Sequence, residues 1–144
     1  MVLLDPTIWG PHYWFFLHTI SLNYPLTPST IIKKKYYEFI QNFSMFIPNE
    51  KMSSNFNKLV DEYPVTPYLD SRDSFIRWVH FIHNKINIKL EKENMSLGEF
   101  YKTYYDRYKP VNLKLNEYYN IKKKLVYSVF LISIIISIYY LYNS

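Results

Sequence analysis

His80, His83, Asn84 and Asn87 fall at i, i+3, i+4 and i+7, so all four line one side of any helix that contains them. Beside them Phe75, Trp78, Val79, Ile82 and Ile86 form an apolar face at the same helical spacing. Solvated helix faces favour Lys, Glu and Gln, whereas His and Asn are mediocre helix formers. Two imidazoles and two amides on one stripe therefore point to specific hydrogen bonding, within a buried polar network or to a ligand. The same chemistry recurs upstream, where His18 shares a face with Trp14. Indole and imidazole rings with Asn amides suit a planar heteroaromatic ligand, stacked on its faces and hydrogen-bonded at its edge.

Other chemistries fit less well. A metal held by His18, His80 and His83 lacks a carboxylate or thiolate at matching spacing, so no metal site is expected. A Ser-His-Asp centre lacks its G-x-S-x-G elbow. The sequence contains no cysteine, which excludes disulfides, thiolate zinc sites and cysteine nucleophiles. Two glycines in 144 residues leave no Gly-rich phosphate loop.

Five helical segments can position the stripe. Pro11 predicts a helix start, and the segment from there to Pro25 carries Trp14, Leu17, His18 and Ser21 on one face. Ser29 or Thr30 can cap a second helix, with Ile32, Tyr36, Phe39, Ile40, Phe43 and Ile47 at helical spacing until Pro48 ends the pattern. A third runs from about Glu50 to Tyr63, with Met52, Phe56, Leu59, Val60 and Tyr63 inward. Asp70 and Ser71 can cap the fourth, which bears the stripe and is predicted to end near Lys92. Ser96 and Glu99 have the spacing of a capping box, and Phe100, Tyr104 and Tyr108 follow on a short fifth helix. No segment shows sustained period-2 alternation, so the fold class is all-α: a four-helix bundle plus a short fifth helix.

Residues 125–142 carry no charged side chain. As a helix they would rise about 27 Å, close to a hydrocarbon core of about 30 Å. Lys122, Lys123 and Lys124 abut one end, and Tyr139, Tyr140 and Tyr142 lie where an aromatic belt would form at the other. Ser128, Ser133 and Ser137 make no polar stripe of the kind a soluble core helix carries. The expected organisation is a helical domain over residues 1–109, a linker over 110–121, and a single-pass C-terminal membrane anchor over 122–144. The lysine triplet predicts the main domain on the cytoplasmic side or inside a virion. The opening residues, Met1 to Pro6, have neither the basic region nor the apolar run of a secretory signal.

The formal charge of +5 is weak evidence for a polyanionic partner. Two lysine triplets, at residues 33–35 and 122–124, supply six of the 17 basic residues. Without them acidic side chains outnumber basic ones by one, and no basic stripe remains, so no nucleic acid is expected.

Four motifs in order resemble the Erv/ALR FAD-linked sulfhydryl oxidases. They are Trp9-Gly10-Pro11-x-x-Trp14-x-x-Leu17-His18-Thr19 followed by Tyr24-Pro25; Phe46-Ile47-Pro48; Arg72-Asp73-x-Phe75-x-x-Trp78; and His83-Asn84-x-Ile86-Asn87-x-Lys89-Leu90. The resemblance covers most of residues 8–108 and is to the small viral type of member. It implies a small, often dimeric helical bundle holding FAD, with a C-x-x-C dithiol at the start of the third helix passing electrons through the flavin to oxygen. It further implies that Gly10, Trp14, His18, Trp78, His83, Asn84, Asn87 and Lys89 line the flavin site. Lys89, or alternatively Lys85 or Arg77, would neutralise the pyrophosphate.

The departure from the family lies at the dithiol. Asn49 and Met52 stand where the two cysteines belong. An amide cannot attack a disulfide and a thioether cannot form one, so the thiol-oxidase route is closed to this chain by itself. The leading expectation is a membrane-attached, degenerate relative acting as a structural or binding subunit, as a homodimer or as a heterodimer with an active paralogue. The alternative is an active FAD-linked oxidoreductase using a partner's thiols or another donor. A third reading is a helical domain whose pocket has collapsed around its aromatic residues.

Overall fold

Helix starts in this protein are set by side chains that satisfy otherwise free backbone N–H groups. In the computed structural model, which describes residues 4–143, Asp5 accepts from the Thr7 amide at 2.8 Å and opens α1, Pro6–Leu22. Ser29 opens α2, Thr30–Phe43; Asn49 opens α3, Glu50–Glu62; and Ser71 opens α4, Arg72–Lys89. Ser96 and Glu99 form the predicted capping box, with both reciprocal bonds made, and start α5, Leu97–Phe100. A π-helical turn, Tyr101–Tyr105, follows. The last helix, α6, is Val111–Asn143. No strand occurs among the described residues, and the all-α expectation holds. Met1, Val2 and Leu3, part of the segment read above for a secretory signal, and Ser144 lie outside the described residues.

Several boundaries differ from the sequence reading. α2 stops at Phe43, before Ile47, where a tighter turn over Ser44–Phe46 takes over, and the fifth helix is regular only over Leu97–Phe100, short of Tyr104 and Tyr108. The differences in α1 and α4 each have a local reason. α1 begins five residues before Pro11 because Pro6, not Pro11, occupies the first turn behind the Asp5 cap. Pro11 lies inside the helix, so the Thr7 carbonyl goes without its i+4 amide partner there. α4 ends at Lys89 rather than near Lys92. Glu91 adopts φ 55°, its amide bonds back to the Ile88 carbonyl at 3.1 Å, and the Lys92 amide reaches the Asn87 carbonyl at 2.9 Å. This is a Schellman closure with glutamate where glycine is usual, and no sequence signal announces it.

Residues Met1–Arg107 form one compact unit and Tyr108–Ser144 another. In the first, α1 packs most extensively on α4, and α3 packs against both α2 and α4. The main core gathers Leu17, Tyr24, Ile40, Phe56, Leu59, Phe75 and Val79 with their neighbours. A smaller cluster of Ile76, Phe100 and Tyr104 packs with Phe15, Met95 and Leu97. Among the bonds that tie helix ends and connecting segments together, three lie around the main core. The Tyr24 hydroxyl donates to the Leu69 carbonyl at 2.8 Å, the Trp78 indole N–H to the Tyr63 carbonyl at 2.9 Å, and Arg72 Nε to the Tyr24 carbonyl. Lys33 of the first lysine triplet pairs with Asp70, just ahead of α4, and Lys35 with Glu38 on its own helix, so this triplet is a solvated face with acidic partners.

In the second unit α6 is one helix of 33 residues, about 50 Å long. It is long and apolar enough to cross a membrane, and none of its apolar window is buried. Residues 110–121, read from the sequence as a linker, are helical from Val111 onward. Ser128, Ser133 and Ser137 turn their hydroxyls back onto the helix's own carbonyls, at 2.7 to 3.0 Å. That satisfies their polarity without an outside partner.

Candidate functional site

The stripe on α4 divides in two. His80 and Asn84 are committed to the backbone of Met95. Asn84 accepts from the Met95 amide at 2.9 Å and donates to its carbonyl at 2.8 Å, and His80 Nε2 donates to the same carbonyl at 2.7 Å. The Met95 amide fixes which end of the Asn84 side chain is the oxygen. These two residues clamp the segment between α4 and α5 onto the bundle.

His83 and Asn87, one turn apart, instead line a cavity of about 620 Å³, within the usual range of ligand pockets. α1 contributes Gly10 and Trp14 to its wall, α3 contributes Met52 and Asn55, and Lys89 and Lys92 stand at its rim. Trp14 and His83 stack with ring centroids 4.0 Å apart and planes within 11°. Gly10 faces open space: a Cβ built there would meet no atom within 4 Å. A bound molecule can thus approach the backbone of α1 closely.

Behind the Trp14–His83 pair, His18 is fully buried against Phe100 and Tyr104, with centroids 4.8 and 4.2 Å away. Its Nε2 lies 2.9 Å from His83 Nδ1, and its own Nδ1 has no partner among the described residues. Burial drives the pKa of His18 down to about 2, helped by the neighbouring His83 and His80. Burial, with His80 and Lys92, lowers that of His83 to about 4. Both rings are neutral at physiological pH.

The predicted site residues are therefore distributed unevenly. Gly10, Trp14, His83, Asn87 and Lys89 line the cavity. His18 sits behind its wall, Trp78 is in the core with its N–H on the end of α3, and Asn84 holds Met95. Of the alternative cations, Lys85 stacks over the Tyr63 and Phe81 rings, and Arg77 pairs with Asp73. The cavity shows that the space has not collapsed around its aromatic residues. Sequence reasoning missed Asn55, one turn beyond Met52 on α3, although the i, i+3 spacing was available. It also missed Lys92 and Met95, which lie in a non-repetitive segment with no periodic signal.

At the α3 end, Asn49 does a structural job. Its side chain accepts from the Met52 amide at 3.0 Å as the helix cap. The turn leading to it is tied to α1 by the Tyr13 hydroxyl on the Phe46 carbonyl at 2.8 Å. Ser53 Oγ donates to the Ser44 carbonyl at 2.8 Å, fixing the first turn of α3 against the end of α2. Met52 is half-buried and presents its thioether side chain to the cavity.

A model of the Erv1 / Alr family matches residues 11–106. The chain belongs to the Erv1/Alr family. A probable FAD-linked sulfhydryl oxidase of Acanthamoeba polyphaga mimivirus is 31% identical over 97 residues, which are 67% of this chain and 68% of that protein. The mitochondrial FAD-linked sulfhydryl oxidase of Schizosaccharomyces pombe is 31% identical over 83 residues. This chain spans 46% of the length of that relative. An FAD-linked sulfhydryl oxidase of African swine fever virus is 28% identical over 99 residues, 69% of this chain and 81% of the viral protein. Among solved structures, the yeast Erv1 core superposes with a TM-score of 0.67 at 28% identity, over 76% of this chain and 91% of that one. The FAD-binding domain of Saccharomyces cerevisiae Erv1 gives the same TM-score and is covered completely, by 74% of this chain. The Erv1/Alr match falls within the Met1–Arg107 unit, which contains every residue lining the cavity.

Proposed function

We propose that this Erv1/Alr-family protein is a membrane-anchored FAD-binding subunit that does not oxidise thiols by itself. The observation that carries the proposal is the wall of the cavity. Its α1–α4 side keeps a ring-stacking and hydrogen-bonding set, while its α3 side has Met52, behind an Asn49 cap, in a chain without cysteine. The residues present fit FAD. Trp14 and His83 offer a flat stacking surface, Gly10 leaves room for close approach, the Asn87 side chain lies on the wall, and Lys89 and Lys92 bring positive charge suited to a pyrophosphate. His18, Trp78 and Asn84 support the site from behind by positioning His83, α3 and the Met95 segment.

FAD, when bound, supplies reversible two-electron transfer. Transfer from a thiol substrate by the family route needs an attacking thiolate and a resolving thiol, and this chain has neither. The remaining roles are binding and assembly, as a homodimer or beside an active paralogue. A second reading, an oxidoreductase fed by a partner's thiols or another external donor, is favoured by one feature: the cavity reaches Met52 and Asn55, the end where a donor would enter.

Residues 1–109 form the functional domain in this reading, 110–121 the link and 122–144 the anchor. The apolar run of α6 supports the anchor, and Lys122, Lys123 and Lys124 at its start favour a cytoplasmic or virion-internal domain. Resistance of the protein to alkaline carbonate extraction from membranes tests the anchor; release into the soluble fraction would sink it.

The decisive experiment is an absorbance spectrum of the purified full chain beside a thiol-dependent oxygen-consumption assay. A flavin band with no turnover is expected. Colourless protein that takes up no added FAD removes the flavin, and turnover removes the claim of inactivity in favour of the second reading.

A further inference from the structure

The unpartnered nitrogen of His18 decides what His83 presents to the cavity. Two neutral imidazoles that share one hydrogen bond have two arrangements. In the first, His83 donates from Nδ1 to His18 Nε2. Neutral His18 must then carry its own proton on Nδ1, where a fully buried N–H meets no acceptor among the described residues. In the second, His18 donates from Nε2, its Nδ1 is a bare lone pair, and His83 carries its proton on Nε2. Buried N–H groups without acceptors are rarer in folded proteins than under-used acceptors, which favours the second arrangement. The rings around His18 are those of Trp14, Phe100, Tyr104 and His83, and among the described residues no acceptor lies within hydrogen-bonding reach of Nδ1 for the alternative proton. His83 itself lines the cavity, and Nδ1 is the ring nitrogen it commits to His18.

We infer that His18 is a positioning residue: through its Nε2–H it holds His83 as the Nε2–H tautomer, so that the cavity wall beside Trp14 offers a hydrogen-bond donor to an acceptor atom on the edge of a stacked ring ligand. That the ligand is FAD rests on the function proposed above; the tautomer itself does not. A pocket whose wall donates at this point selects for ligands with a ring nitrogen or carbonyl there and against those presenting an N–H.

Long-range proton–nitrogen NMR spectra of the full chain in detergent, with isotope-labelled imidazoles and at neutral pH, read the tautomer directly, before and after addition of FAD. The expected pattern is a protonated Nε2 on both His18 and His83, already present without FAD. Protonation of His83 at Nδ1 would overturn the inference. In His18→Phe, which keeps a ring but removes the donor, His83 should spread over both tautomers and FAD affinity should fall about tenfold. A folded His18→Phe protein with an unchanged His83 pattern also overturns it. Should that variant not fold, His18→Gln places an amide N–H near the position of Nε2 and should preserve the Nε2–H pattern of His83; its loss in folded protein counts against the inference. The expected pattern in a protein that takes up no FAD supports the inference and sinks the flavin reading instead.

Discussion

The two walls of the cavity have met different fates. On the α1–α4 side, rings and polar groups from distant parts of the chain meet in fixed geometry: Trp14 on His83, His83 on His18, and His18 under Phe100 and Tyr104. On the α3 side, Asn49 and Met52 stand where the resemblance to the sulfhydryl oxidases implies a dithiol, and Asn49 caps the helix start. In the proposed reading, the difference teaches that a reactive pair at a helix N-terminus can be lost without loss of fold, provided that the replacement satisfies the free amides. The stacked wall has no such local substitute, since each ring is held by the others.

The largest effect expected is the gain of an activity. Asn49 and Met52 occupy the N-cap and third helical positions, close enough that the Asn49 side chain reaches the Met52 amide. Replacing both by cysteine places two thiols at the start of α3, where the helix N-terminus favours the thiolate. Thiol-dependent oxygen uptake by Asn49→Cys/Met52→Cys should rise from background to measurable turnover. Continued silence in FAD-loaded protein would mean that the two walls no longer cooperate.

Truncating the stacked wall comes next. Phe100 is fully buried over His18, and Phe100→Ala should cost about 3–5 kcal/mol, read as a lowered denaturation midpoint. A loss under 1 kcal/mol would show that the smaller cluster is dispensable.

Acid should distinguish the walls. The folded-state pKa values of His18 and His83, about 2 and about 4, lie below the ordinary 6.5, so the unfolded chain takes up protons first as pH falls. The stability contributed by keeping both rings neutral is complete above pH 6.5 and declines by a few kcal/mol as pH falls through about 4. Denaturation midpoints measured between neutral pH and about pH 4 should fall in wild type and fall less in His83→Asn. An identical slope in the two proteins would remove the buried pair as the cause.

The smallest effect belongs to the α3 cap. Asn49→Ala should lose about 1 kcal/mol, and Asn49→Asp, which keeps an acceptor oxygen, should lose less. Neither should alter the acid dependence, because the cap and the histidine pair are separate structures. Equal losses in the two variants would argue against a capping role.

Legibility differed along the chain according to how local the physics is. The caps Ser29, Ser71 and Ser96 and the apolar faces of α2, α3 and α4 could be read from sequence, because each involves residues within one or two turns. The start of α1 was misplaced because two prolines compete for one role and only the Asp5 bond decides between them. The end of α4 was misplaced because Glu91 takes a left-handed conformation that a non-glycine residue does not advertise. Among the site residues, Trp14, His83 and Asn87 were legible as an unusual polar and aromatic set, and all three line the cavity.

The sequence by itself determined that the chain is helical, that it carries one long uncharged apolar run, and that it has no sulfur pair for disulfide exchange. Periodicity, charge and composition are properties of neighbouring residues and need no fold to be read. Only the tertiary structure decided how the stripe on α4 is shared out: His80 and Asn84 to the backbone of Met95, His83 and Asn87 to the cavity. The reason is that residues on one helical stripe are equivalent until another segment packs on them. The Met95 segment covers one pair and α1 brings His18 and Trp14 to the other, through contacts between residues far apart in the chain.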